Sequence, residues 1–200
     1  MTDWLGPDPA DSTPLDEDEL VGLIPSWIAT RDDLNRAERD NILAAQIKWN
    51  GRRSTVAALL DDLVARRLHR DMFGRVWRWA GTYRSTERNI GIAPGKIAVA
   101  TRDLMENAKY WFEPSITGDD TDAAACRFHH RLVQIHPFPN GNGRQARLHT
   151  DLILAASGRA PFTWGSSSID DIGTTRRAYV EALRSADRGD PQPLTVFARS

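Results

Sequence analysis

From Leu34 to the end of the chain, apolar residues return at helical steps, and that rhythm leaves little room for any architecture but a helical one. Leu34, Ala37, Ile42, Ala45 and Trp49 open the series at three- to five-residue intervals. Val56, Leu59, Leu60, Leu63, Val64 and Leu68 form a cleaner stripe, with Ser54 or Thr55 as its N-cap. Further stripes run through Leu104, Met105, Ala108, Trp111 and Phe112; through Ala125, Phe128, Leu132 and Ile135; through Leu148, Leu152 and Ala155; and through Tyr179, Ala182, Leu183 and Ala186. Gly158 stands where a C-cap glycine ends the third of these, the stripe through Ala155. Asp16 to Ala29 reads as a short helix interrupted by Pro25, and residues 1–14, with Pro7, Pro9 and Pro14, as a loose leader. One stretch departs from the rhythm. Asn89-Ile90-Gly91-Ile92 and Ile97-Ala98-Val99 flank a Pro94-Gly95 turn, the pattern of a short β-hairpin. The expected fold class is all-α, a helical bundle with one hairpin.

Composition narrows the functional classes. Apolar residues make up 40% of the 200, enough for a core, and 26 basic against 27 acidic side chains leave a net charge of -1. That balance argues against a surface built for nucleic acid. Cys126 is the only cysteine, so no internal disulfide or paired-cysteine metal site can form. No basic-then-apolar leader and no apolar run of membrane-spanning length occurs, so the expectation is a cytoplasmic protein with no membrane association.

The chemistry concentrates in twelve residues, His136-Pro137-Phe138-Pro139-Asn140-Gly141-Asn142-Gly143-Arg144-Gln145-Ala146-Arg147. Pro137 drives His136 out of helical geometry, ending the helix that begins near Asp122 and freeing the imidazole to project. Gly141 and Gly143 allow the backbone to turn several N–H groups toward one point, at the start of the next helix, where anions bind well. Arg144 and Arg147, three apart, share a face of that helix. A base, a nest of amide donors and two guanidinium groups around one loop make a phosphate cradle. A helix-to-helix turn alone needs one glycine; it does not need two around an asparagine and then paired arginines.

These residues resemble the signature of the Fic/DOC family, His-Pro-Phe-x-(Asp/Glu)-Gly-Asn-Gly-Arg-x-x-Arg, at eight of its nine fixed positions. Val76-Trp77-Arg78-Trp79-Ala80-Gly81-Thr82-Tyr83-Arg84, Tyr110-Trp111 and Phe128-His129-His130-Arg131-Leu132 are similar to the rest of the family's core. Thr13-Pro14-Leu15 and Phe162-Thr163-Trp164-Gly165 resemble a bacterial subgroup known as mobile mystery protein B. The resemblance implies a Fic-type bundle over residues 15–200 with an N-terminal helical extension. It implies AMP transfer from ATP to a hydroxyl of a target protein, with His136 as the general base. Gly141, Asn142 and Gly143 would hold the triphosphate, and Arg144 and Arg147 would neutralise its β- and γ-phosphates. Asn89, Ile90, Gly91 and Ile92 would belong to a flap that clamps an extended target segment. Phe138 is expected to anchor the loop in the core, and Trp77, Trp79 and Trp111 to pack there.

Asn140 is the departure. The family places a carboxylate here for the Mg2+ that accompanies the nucleotide, and an amide oxygen binds such an ion more weakly. The resulting expectation is an active enzyme that needs high magnesium; a different nucleotide donor or an inactive relative of the fold are the other readings. Gly143 argues against the Doc-like kinases of the fold, which carry lysine there. No segment matches the family's inhibitory helix, so any brake is expected from a separate small antitoxin protein. His129, His130, His69 and His149 are read as solvated or core-edge residues. A helical binding module using the arginines at 66, 67, 70, 75 and 78 is the reading from a different functional class.

Overall fold

The computed structural model describes residues 20–113, 120–166 and 172–200; the leader at 1–14, with Thr13-Pro14-Leu15, lies outside them. Eight α-helices follow one another among the described residues: α1 Arg31–Asn50, α2 Val56–Leu59, α3 Asp62–Phe73, α4 Ile97–Trp111, α5 Thr121–Ile135, α6 Asn142–Ala156, α7 Ile172–Asp187 and α8 Gln192–Arg199. None is long and apolar enough to cross a membrane.

Local sequence accounts for most of the boundaries. Thr30 caps α1 in a reciprocal box with Asp33: the Asp33 N–H donates to the threonine hydroxyl and the Thr30 N–H to the carboxylate. The stripe from Val56 to Leu68 divides into two helices. Thr55 caps the first, as expected; Leu60 then leaves helical geometry, and Asp61 caps α3 through the Leu63 N–H at 2.7 Å. Gly158 adopts a φ of 72° just past α6, the left-handed stop predicted for it.

Two expectations need correction. Of the proposed helix at 16–29, Asp16 to Glu19 lie outside the described residues, Leu20 is helical, and residues 21–29 are not helical. Leu23 pairs with Trp77 in an isolated antiparallel bridge, flanked by hydrogen bonds from Ile24 N–H to Val76 and from Arg78 N–H to Gly22. Pro25 removes a donor that a helix would need. The hairpin at 89–99 is likewise not formed, and the described residues contain no sheet. Pro94–Lys96 is a 3-10 turn that runs straight into α4. Proline at the start of a helix loses no hydrogen bond there. Ile97, Thr101, Leu104, Met105 and Ala108 form the buried face of α4, so the Ile-Ala-Val run belongs to a helical period, not to a strand.

The motif helix α6 stands at the centre. It packs against α1, α2, α3 and α5, and α8 and α7 close over its far side with α5. Ala146, Leu148, Leu152 and Ile153 enter the main core, while Leu154 enters a second one with Phe162, Leu194 and Phe197. A helix gripped on several sides holds its first turn in a fixed place, and that turn carries the motif.

Candidate active site

His136 is the first residue past α5 and has φ 52° and ψ 60°, left-handed rather than extended. The helix therefore ends where Pro137 predicts, but the imidazole does not project. Only 5% of the residue is exposed, and neither ring nitrogen has a hydrogen-bond partner. The cover is Gly91, with φ 95°: a Cβ added there would come within 2.6 Å of the His136 Cβ. Burial first, then the charges of Arg84 and Arg88, lower the imidazole pKa to about 4, with the Val133 backbone opposing. At neutral pH the ring is uncharged and has a lone pair available.

Three side chains hold the loop beyond it. Asn142 closes the turn on itself, accepting from the Phe138 N–H and donating to the Phe138 carbonyl, both at 2.8 Å. Phe138 is fully buried and stacks on His69 at 3.8 Å between ring centroids. His69 accepts at Nδ1 from the Gly81 N–H (3.0 Å), so Nε2 carries the proton and donates to the Asn140 carbonyl at 2.9 Å. Burial lowers its pKa to about 3, which keeps that tautomer neutral.

Gly141, at φ 77°, caps α6 without any side-chain hydrogen bond. A Cβ there would strike the Phe73 ring at 2.5 Å, so both the conformation and the space demand glycine. Its own N–H donates to Asn140 Oδ1 at 2.6 Å. The amides of Asn142, Gly143 and Arg144 occupy the first turn, where a helix has no internal acceptors for them. Arg144 and Arg147 both line a cavity of about 210 Å³ with Gln46, Met72, Asp151 and Trp164. The Arg144 guanidinium lies over Phe73 and donates to Glu38 Oε2 at 2.5 Å and to Asn140 Oδ1 at 3.3 Å. That of Arg147 lies over Tyr179. The expected residues thus form two groups: the arginines at one cavity, and His136 under Gly91 of the segment Asn89-Ile90-Gly91-Ile92, where residues 89–91 are exposed.

The Fic/DOC family model matches residues 59–154, from the end of α2 through most of α6. Those residues are a Fic/DOC domain. Protein adenylyltransferase fic-1 of Caenorhabditis elegans is 31% identical over 145 residues, which are 69% of this chain and 26% of that protein. Protein adenylyltransferase Fic of Nematostella vectensis is 30% identical over 143 residues, 69% of this chain and 31% of that protein. The chain therefore spans about a quarter to a third of these relatives. Among solved structures, C. elegans Fic-1 superposes with a TM-score of 0.66 at 24% identity, covering 88% of this chain and 50% of that one. The BepC protein of Bartonella tribocorum, solved with bound AMPPNP, gives 0.69 at 17% identity, covering 92% and 97%. Both show the same fold.

Glu38 lies outside the Fic match and escaped the sequence reading, yet it meets the first arginine of the Fic motif from 106 residues away. The residue is 7% exposed, and its Oε1 accepts from the Trp77 indole N–H at 2.7 Å. A signal was present: Glu38 shares the buried stripe of α1 with Leu34, Asn41, Ala45 and Trp49, and a carboxylate on an apolar face calls for a partner. His69 escaped in the same way, within the buried face of α3. His129 and His149 are also fully buried, while His130 reaches Asp187 near the surface.

Proposed function

We propose that the chain transfers AMP from ATP to a hydroxyl side chain of another protein. The observation that carries this reading is that both motif arginines line one cavity, beside an N-terminal helical turn that no side chain caps. The curated relatives are named protein adenylyltransferases, and BepC was solved with an ATP analogue; both support ATP as the donor.

On this reading the amides of Asn142 and Gly143, with Arg144 and Arg147, hold the triphosphate. The target hydroxyl attacks the α-phosphorus, its proton passes to a ring nitrogen of His136, and the α–β bridging bond breaks to release pyrophosphate. His136 suits the task because it is neutral at pH 7 and has no competing hydrogen bond. Reaching it requires the segment around Gly91 to yield. That segment, Asn89 to Ile92, is where we place contact with the target. Positive charge and alignment carry most of the burden in phosphoryl-type transfer. We further read residues 15–200 as one Fic unit with a helical extension, since α1 contributes Glu38 to the motif.

The donor set around Asn140 fits magnesium poorly. Its Oδ1 already accepts from Gly141 and from the cationic Arg144, and the motif loop supplies no carboxylate. No step is therefore derived through a metal; when bound with ATP, Mg2+ would supply further neutralisation of the phosphates. A cytoplasmic setting and a small antitoxin partner belong to the same proposal.

The test is incubation with α-labelled ATP, magnesium and cell lysate, followed by gel separation. A labelled protein band is expected with the wild type and its loss with His136→Ala. Equal labelling by both proteins would sink the mechanism, and labelling from γ-labelled ATP instead would reassign it to phosphoryl transfer.

A further inference from the structure

We propose that Arg84 is the positioning residue for His136: its guanidinium and its backbone amide together hold the backbone that aims the imidazole. The inference rests on the reading of His136 as the base.

Arg84 is 3% exposed, in a segment whose neighbours at 85–87 are exposed. It spends its donors on carbonyls. Nε donates to the His136 carbonyl at 2.7 Å, Nη1 to Thr86 at 2.9 Å, and Nη2 to Ile92. Its backbone N–H donates to the Pro137 carbonyl at 2.9 Å. One residue therefore holds two successive carbonyls of the motif, those of the candidate base and of the proline after it. It also joins both ends of the segment that covers the base. Placing a cation in such a site is unfavourable unless it is hydrogen-bonded, and here each of the three guanidinium nitrogens has a carbonyl partner.

These bonds bear on the His136 backbone. A left-handed conformation is strained for a residue with a Cβ, and a following proline restricts it further. Such conformations persist only where surrounding contacts over-determine them. The helix contributes one contact, His136 N–H to the Leu132 carbonyl at 3.2 Å; Arg84 contributes the other two, on the carbonyl side. The planar fork is what allows three carbonyls to be held from one side chain. Lysine would bring the charge without the fork. Gly91 packs against both members of the pair, so the Arg84 fork, the covering segment and the imidazole form one unit.

The experiment compares wild type, Arg84→Lys and His136→Ala in three measurements: calorimetric binding of a non-hydrolysable ATP analogue, labelling from α-labelled ATP, and the His136 ring carbon–proton NMR signal. For Arg84→Lys the expectation is nucleotide binding within threefold of wild type, labelling reduced at least tenfold, and a His136 signal that shifts or broadens. The signals of His69, His129 and His149 should stay in place. A His136 signal unmoved and labelling at the wild-type rate would overturn the proposal. If Arg84→Lys does not fold, the wild type decides alone. Its Arg84 Nε–H should exchange with solvent at least a hundredfold more slowly than that of an exposed arginine, and free exchange would refute the assignment. Failure of the base reading looks different: His136→Ala would label as well as wild type, while the lysine variant would still move the His136 signal.

Discussion

The two ends of the twelve-residue motif occupy opposite environments. At the C-terminal end, Arg144 and Arg147 face a cavity, and the Arg144 side chain keeps about a third of its exposure (36%) while paired to Glu38. At the N-terminal end, His136 lies beneath Gly91 with its ring nitrogens buried and unpartnered. A cationic group must remain reachable to recruit an anion, whereas a base is useful only if kept neutral, and burial does that. On the proposed roles, recruitment and protection would both come from one loop, whose two flanking helices are packed by different neighbours.

The sharpest way to break the contrast is to remove each end separately. His136→Ala should lower AMP transfer by roughly 10²- to 10⁴-fold and leave binding of an ATP analogue unchanged. Arg144→Ala should do the reverse, weakening analogue binding by roughly 10- to 100-fold. It should also destabilise the fold by about 2 kcal/mol, because Glu38 keeps only the Trp77 N–H. Adding Glu38→Gln to that variant should return part of the stability and none of the affinity, since removing both partners costs less than removing one. Paired calorimetry and chemical denaturation read both quantities.

Opening the protected end comes next in size. Gly91→Ala puts a methyl group 2.6 Å from the His136 Cβ, at a φ of 95° that alanine resists. A loss of about 1–3 kcal/mol is expected, seen as a lower Tm. Diethyl pyrocarbonate should modify His136 faster than in the wild type, and an unchanged rate would show that Gly91 is not the cover.

Acid probes the buried imidazoles together. His69 and His129 titrate at about 3, and His136 and His149 at about 4, against an ordinary 6.5, with burial the leading cause each time. The unfolded chain takes up protons first, so stability falls as pH drops from 6.5 toward 4, by on the order of 1 kcal/mol per histidine for the first unit. Asp151, raised to about 6 mainly by burial, works the other way below pH 6 and offsets about one histidine. The urea midpoint should therefore drop between pH 6.5 and 5. The smallest effect expected is that of Asn140→Asp. It should lower the magnesium concentration for half-maximal nucleotide binding a few-fold, because a carboxylate restores a charged oxygen ligand.

Much of this was legible in advance. The helical rhythm gave the fold class, Thr55 and Gly158 marked real boundaries, and the order of the motif residues pointed to Fic chemistry. The hairpin at 89–99 was misread because Ile-Ala-Val is too short a run to tell a strand from the first turn of a helix, and Pro94 serves either. The imidazole was expected to project because local rules speak of the backbone of His136, and its cover comes from residues some 45 positions earlier.

What the amino-acid order settled alone was therefore local: where helices start and stop, and which residue types stand together in one loop. Spacing along the chain fixes those features through backbone geometry and capping. Only the tertiary structure decided the partners: Glu38 for Arg144, His69 for the Asn140 carbonyl, Arg84 for the His136 carbonyl. Those contacts join residues 52 to 106 positions apart, and depend on how helices pack rather than on any local period.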